Sequence, residues 1–256
     1  MAGMDSAKRV ALVTGGSRGI GAAVAERLAR DGLRVAITGR ARDELERVAS
    51  AIGATVVVAD MLDRDAPGRV LAEVERACGP VDVLVNNAGV AESAPLDEVS
   101  DDQWERTFAV NVSSVFRLCR GVMPAMAKRG YGRVINVASN AGLTGYAYTA
   151  AYCASKHAVI GLTRALAAEF GRTPVTINAV CPGWVDTDMA QRAVDRIASA
   201  SGRSAHEARK TLEQMSPQRR LITVGEVAHA VAMLVPEDAR GIHGQCIVVD
   251  GGQVMK

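Results

Sequence analysis

Aromatic residues are scarce in this chain, only 4% of its 256 residues, although hydrophobic residues make up 48%. A core must therefore be built from Val, Ala, Leu and Ile. The five cysteines, Cys78, Cys119, Cys153, Cys181 and Cys246, are odd in number and scattered, with no Cys-x-x-Cys pair. That excludes a disulfide framework or a zinc site. His157, His206, His229 and His243 share no ligand spacing, so no metal is expected. Charge of one sign is almost balanced out, with a net of +2, which gives no reason to expect nucleic acid or an anionic membrane as partner. No apolar run approaches bilayer length, and Met1 to Arg9 lacks a secretory apolar stretch. These absences leave a soluble, cytoplasmic protein with reduced thiols as the expectation.

What is present is alternation. Short β-branched runs at Val10–Val13, Arg34–Thr38, Thr55–Ala59, Val81–Val85, Arg133–Ala138, Val175–Val180 and Cys246–Val249 read as strands. Between them lie helical periods, such as Ile20, Val24 and Leu28 at four-residue spacing. This pattern predicts an α/β fold, a single Rossmann-type doubly wound parallel sheet of about seven strands with helices on both faces. The whole chain, 1–256, reads as one domain. Residues 186–220 break the rhythm and read as a helical flap over the site.

The first strand runs directly into Thr14-Gly-Gly-Ser-Arg-Gly-Ile-Gly21 and then a helix. Gly15 would permit the tight turn, Gly19 the approach of a pyrophosphate, and Gly21 close packing of helix on strand. The helix N-terminus would offer free N–H groups and a positive dipole to the anion. An ordinary glycine-rich turn is the alternative. The second strand ends in Thr38-Gly39-Arg40, without the acidic residue that would bind a ribose 2′-hydroxyl. Arg18 and Arg40 could converge on a 2′-phosphate, which favours NADP(H) over NAD(H). Two solvated arginines would give the same sequence.

Tyr152 and Lys156 stand four residues apart, on one helical face, with Ser139 upstream. A nearby cation favours the phenolate and so suits the tyrosine to proton transfer. A serine hydroxyl from a neighbouring loop could hold a carbonyl oxygen against that phenol. The combination with a phosphate loop reads as hydride-transfer chemistry.

Together, Thr14 to Gly21, Asp60, Asn86-Asn-Ala-Gly89, Asn111, Ser139, Tyr152-x-x-x-Lys156 and Pro182-Gly183 resemble the short-chain dehydrogenase/reductase family, from Lys8 to about Gly252. The resemblance implies Tyr152 as acid in ketone reduction and base in alcohol oxidation. Lys156 would lower the Tyr152 pKa and bond the nicotinamide ribose, Ser139 would hold the substrate oxygen, and Asn111 would anchor a water linking Lys156 to solvent. The implied cofactor shell comprises Gly15, Ser17, Arg18, Gly19, Ile20, Gly21, Arg40, Asp60 and Met61. It continues through Asn87, Ala88, Gly89, Tyr152, Lys156, Pro182, Gly183, Val185 and Thr187.

Leu143, Tyr146, Trp184 and Met189 would wall the substrate pocket, although Trp184 could equally pack beneath the flap. A local basic excess on the flap could meet a carboxylate, a coenzyme A phosphate or an acyl carrier protein, or be a solvated helix face. The sequence resembles 3-oxoacyl thioester and polyketide ketoreductases, and also 3-hydroxybutyrate-type dehydrogenases. The expected function is hydride transfer between NADP(H) and a 3-oxoacyl/3-hydroxyacyl thioester or acid. An NAD-linked dehydrogenase of a 3-hydroxy acid, hydroxyacyl-CoA or cyclic or aromatic alcohol is the alternative, and a non-catalytic cofactor-bound sensor the remote one. A homotetramer is implied by the resemblance.

Overall fold

The computed structural model describes residues 8–255. Seven strands, all parallel, form one sheet in the order β3-β2-β1-β4-β5-β6-β7. They are β1 (Val10–Thr14), β2 (Arg34–Gly39), β3 (Thr55–Val58), β4 (Val81–Asn86), β5 (Gly132–Val137), β6 (Val175–Pro182) and β7 (Cys246–Val249). Strand order reverses between β1 and β4, where the loops at their C-terminal ends part and leave a crevice. Each predicted strand is present; Cys246–Val249 is unchanged and the ends of the others move by at most two residues.

Alternate residues of β1 serve opposite faces. Ala11 and Val13 join a core with α1 (Gly19–Arg30), α2 (Arg42–Ile52) and α9 (Val224–Ala232). Val10 and Leu12 join the other core, with α3 (Ala66–Cys78) and α5 (Ser114–Arg129). This period of two is what a strand covered on both sides requires. Each fully buried Val or Leu contributes about 1.5–3 kcal/mol of transfer free energy, so an aliphatic core needs no aromatic bulk. The apolar stretch Val227–Val235 lies mostly in the first core, packed over α1.

Four further helices shape the site. α4 (Asp101–Phe108) passes through one π-type turn, Ala109–Ser113, into α5. α6 (Ala150–Phe170) follows the loop after β5. Between β6 and α9, α7 (Asp188–Ser201) and α8 (Ala205–Gln214) pack on each other through Ala190, Ala193, Val194, Ala208 and Leu212. Among the described residues, no helix is long and apolar enough to cross a membrane.

Candidate active site

The phosphate loop is held by one hydroxyl and one amide. Thr14 Oγ1 accepts hydrogen bonds from the backbone N–H groups of Asn87 and Ala88, both at 3.0 Å. Asn87 Nδ2 returns bonds to the carbonyls of Thr14 (2.9 Å) and Gly15 (3.1 Å). The ends of β1 and β4 are thereby locked together. Gly15 and Gly19 adopt φ of 65° and 54°, where a side chain would be strained. At Gly21 a Cβ would lie 2.0 Å from the Gly15 carbonyl oxygen, so helix and turn meet there without room for any side chain.

A cleft of about 570 Å³ opens above this loop. It is lined by Gly15, Ser17, Arg18, Gly19, Ile20, Arg40, Asp60, Met61, Asn87, Ala88, Gly89 and Thr187, all named from the sequence. Its glycine floor, open helix N-terminus and three arginines, Arg18, Arg40 and Arg192, fit an extended, anionic dinucleotide. Asp60 accepts a bond from Leu62 N–H at 3.0 Å, which fixes the turn after β3. Thr187 leans over the loop, so that a Cβ on Gly19 would touch its methyl at 3.3 Å. Met189, expected in the substrate wall, also lines this cleft.

The remaining expected cofactor residues lie off the cleft lining. Gly21 is beneath the loop, and Val185 is buried, bridged to Ile222. Pro182 and Gly183 cap β6. A Cβ on Gly183 would come 2.7 Å from Asp250 Cβ.

Beyond Gly89, at the edge of the cleft, stands the group expected to transfer the proton. Ser139 follows β5 and caps a short 3₁₀ turn, its Oγ accepting from Ala141 N–H at 3.1 Å. Tyr152 and Lys156 project from the first two turns of α6. Burial pushes the Tyr152 phenol above its ordinary pKa, while a hydrogen bond with Ser139 pulls it down. Burial lowers the Lys156 ammonium to about 8. Lys156 Nζ lies 5.7 Å from the centre of the Tyr152 ring and donates to the Val137 carbonyl at 2.9 Å. The sequence suggested a lysine that lowers the phenol; in this arrangement the serine does so, and burial outweighs it.

Asn111 lies in the π-type turn, a distortion that often marks a functional residue. Its amide accepts from Val90 N–H (2.8 Å) and donates to Val90 O (2.9 Å) and Ser155 Oγ (3.0 Å). It thus ties the loop after Gly89 to the helix that carries Tyr152 and Lys156. A Cβ on Gly89 would sit 3.3 Å from Asn111 Oδ1 and 3.7 Å from Lys156 Nζ, so these three residues converge.

A buried polar chain sets the helix against the sheet. Asn86 Nδ2 donates to Asn136 Oδ1 (2.8 Å), and Asn136 Nδ2 donates to Thr163 Oγ1 (2.9 Å). A second polar hub stands behind Ser139. Asp250 accepts from the N–H groups of Gly252, Gln253 and Val254, and from Asn140 Nδ2 at 3.3 Å. Sequence reading missed Thr14, Asn136, Asn140 and Asp250 as site supports. Asp250 and Asn140 are 110 residues apart, and no local spacing joins them.

Leu143 packs with Ala138, Val159 and Ile160 beside the serine loop. Tyr146 buries its hydroxyl without a geometrically satisfactory hydrogen bond, and burial raises it to about 12. Trp184 packs against the α7–α8 pair.

The sheet, the dinucleotide cleft and the Ser–Tyr–Lys group together are those of a nicotinamide-dependent oxidoreductase. A family model described as short chain dehydrogenase matches residues 9–198, and the chain belongs to that family. It is 38% identical over 247 residues to the 3-oxoacyl-[acyl-carrier-protein] reductase MabA of Mycobacterium tuberculosis H37Rv, covering 96% of this chain and 93% of that one. It is 36% identical over 252 residues to the D-beta-hydroxybutyrate dehydrogenase of Rhizobium meliloti, covering 95% and 98%. A solved structure of a substituted actinorhodin polyketide ketoreductase with NADPH superposes with a TM-score of 0.93 at 37% identity, covering 99% of each chain.

Proposed function

We propose that this chain transfers hydride between NADP(H), in preference to NAD(H), and the β-carbon of a 3-oxoacyl or 3-hydroxyacyl thioester or acid. Its membership of the short chain dehydrogenase family makes it an NAD(P)-dependent enzyme acting on CH–OH and C=O groups. The observation that carries the proposal is the grouping of Ser139, Tyr152 and Lys156 just beyond Gly89, at the edge of the cleft that holds Arg18 and Arg40. The relatives named as 3-oxoacyl and polyketide ketoreductases support the substrate class.

The cofactor supplies the hydride. Gly15, Gly19 and the α1 N-terminus would hold its pyrophosphate, and Arg18 and Arg40 its 2′-phosphate. Ser139 and Tyr152 together would grip the substrate oxygen. As that oxygen gains negative charge, the raised phenol of Tyr152 gives up its proton, and the alcohol forms. Lys156, cationic below about pH 8, then stabilises the phenolate left behind until a solvent proton replaces the one donated. In the reverse direction Tyr152 takes the proton.

A second reading, an NAD-linked 3-hydroxy acid dehydrogenase, draws on the hydroxybutyrate relative and on Glu44, whose carboxylate lies near Arg18. Oxidation of NADPH and NADH, followed side by side with an acetoacetyl thioester, separates the two. Turnover with NADPH alone is expected; turnover with NADH alone refutes the preference. Tyr152→Phe should abolish turnover while NADPH still binds.

The proposed assembly is a homotetramer, supported by exposed Trp104 on α4 and Phe116 on α5, neither of which the core requires. Sedimentation would decide it, and a monomer at micromolar concentration would refute it.

A further inference from the structure

The P-loop arginine is not free in this structure. Arg18 has Glu44 at 3.7 Å on one side and Asp188 at 3.9 Å on the other. Glu44 belongs to the first turn of α2, which follows directly after Arg40. Its second oxygen accepts a hydrogen bond from Ser17 Oγ at 3.0 Å. One carboxylate therefore occupies both polar side chains that the phosphate loop offers on the side facing Arg40. Arg40 itself makes no ion pair among the described residues and lines the same cleft.

We infer that Glu44 is a specificity-determining residue, an internal anion that competes with the 2′-phosphate of NADP(H) for Ser17 and Arg18 and so sets how strongly the enzyme distinguishes the two dinucleotides. The inference rests on the assignment of Arg18 and Arg40 to the 2′-phosphate. Glu44 is half-buried, and its hydrogen bond to Ser17 holds it within the loop rather than out in solvent. A dianionic phosphate arriving at Arg18 meets that carboxylate at close range. It must displace the carboxylate or bear its repulsion. A ribose 2′-hydroxyl carries no charge and meets no such opposition. Asp188 is more exposed and approaches Arg18 from the flap side, so it is the weaker competitor.

The test is direct binding of each dinucleotide to the full chain, read by cofactor fluorescence and by the rise in melting temperature on binding. Glu44→Gln keeps the shape and an oxygen for Ser17 but removes the charge. It should tighten NADPH binding about tenfold, from one removed repulsion in a solvent-screened cleft, and leave NADH within about twofold. The gain should shrink as ionic strength rises from about 0.01 M to about 0.15 M, because the Debye length falls across that range. NADPH binding unchanged or weakened would overturn the inference, as would equal tightening of both dinucleotides. Selective weakening of NADH would overturn it in another way, by making Glu44 a partner of the ribose hydroxyl.

Arg18→Gln separates this from the underlying assignment. Loss of NADPH binding alone upholds the 2′-phosphate site, and the result for Glu44→Gln then stands or falls by itself. Equal loss of both dinucleotides removes the 2′-phosphate site, and the inference goes with it.

Discussion

Thr14→Val tests how the phosphate loop is held. The substitution keeps the shape and β-branching of the side chain and replaces the hydroxyl with a methyl. Thr14 is buried, and its Oγ1 is the acceptor for Asn87 N–H and Ala88 N–H. The variant leaves both donors without that acceptor in a region only partly open to water. Each orphaned donor costs about 1–3 kcal/mol, so a loss of about 2–4 kcal/mol is expected, with part of it recovered if water reaches Asn87. At roughly 2–4 °C per kcal/mol for a domain of this size, the melting temperature should fall by about 5–15 °C. Urea unfolding should show a lower midpoint with an unchanged slope. NADPH binding should weaken as well, because Asn87 also fixes the carbonyls of Thr14 and Gly15. Thr14→Ser, which keeps the oxygen, should lose far less. A melting temperature for Thr14→Val within about 2 °C of wild type would refute the reasoning, since it would mean the hydroxyl holds nothing that water cannot replace.

Lys156 makes a prediction about pH. Its pKa is about 8 in the fold against 10.5 for an ordinary lysine, so the unfolded chain binds the extra proton between those values. Native stability should therefore rise with pH across that window and be lowest below about pH 8, by about 3 kcal/mol at most. Lys156→Met should abolish turnover yet raise the melting temperature at pH 7, with the gap closing towards pH 10.5; a variant less stable at pH 7 would contradict this. In the wild type, the rate of reduction should decline as pH rises through about 8 and the cation is lost, which a pH–rate profile of kcat/KM would show. Gly21→Ala should reduce NADPH affinity at least a hundredfold, because its methyl would fall on the Gly15 carbonyl; an affinity within about threefold of wild type would show that the loop yields.

The architecture was legible because strands covered on both faces are continuous apolar runs, and helices between them carry a different period. Val81–Val85 and Cys246–Val249 could be read for that reason, and so could the glycines, whose identity states a backbone requirement. The supports of the site were less legible. Thr14 looks like any β-branched residue at the end of a strand. Glu44 looks like any acidic residue in a first helical turn, and its contact with Ser17 arises only when α2 folds back beside the loop. The π-type turn at Asn111 adds a fraction of a turn without altering the visible apolar period. Val227–Val235 reads from the sequence equally as core or as a subunit interface, and packing against α1 places it in the core.

The Asn86–Asn136–Thr163 chain has a consequence for how uniquely the protein folds. A core of Val, Ala, Leu and Ile is made of nearly interchangeable pieces, and such cores lose singularity before they lose cohesion. A helix laid on an aliphatic sheet could slide or rotate by a fraction of a turn at little cost in buried area. The amides of β4 and β5 and the hydroxyl on α6 join into this chain in only one such placement, with Asn86 Oδ1 alone left unpaired. Any other placement would strand more polar groups in hydrocarbon. The same three residues therefore act as an alignment key, so that Tyr152 and Lys156, carried on the same helix, come to the Gly89 side of the cleft in a single orientation.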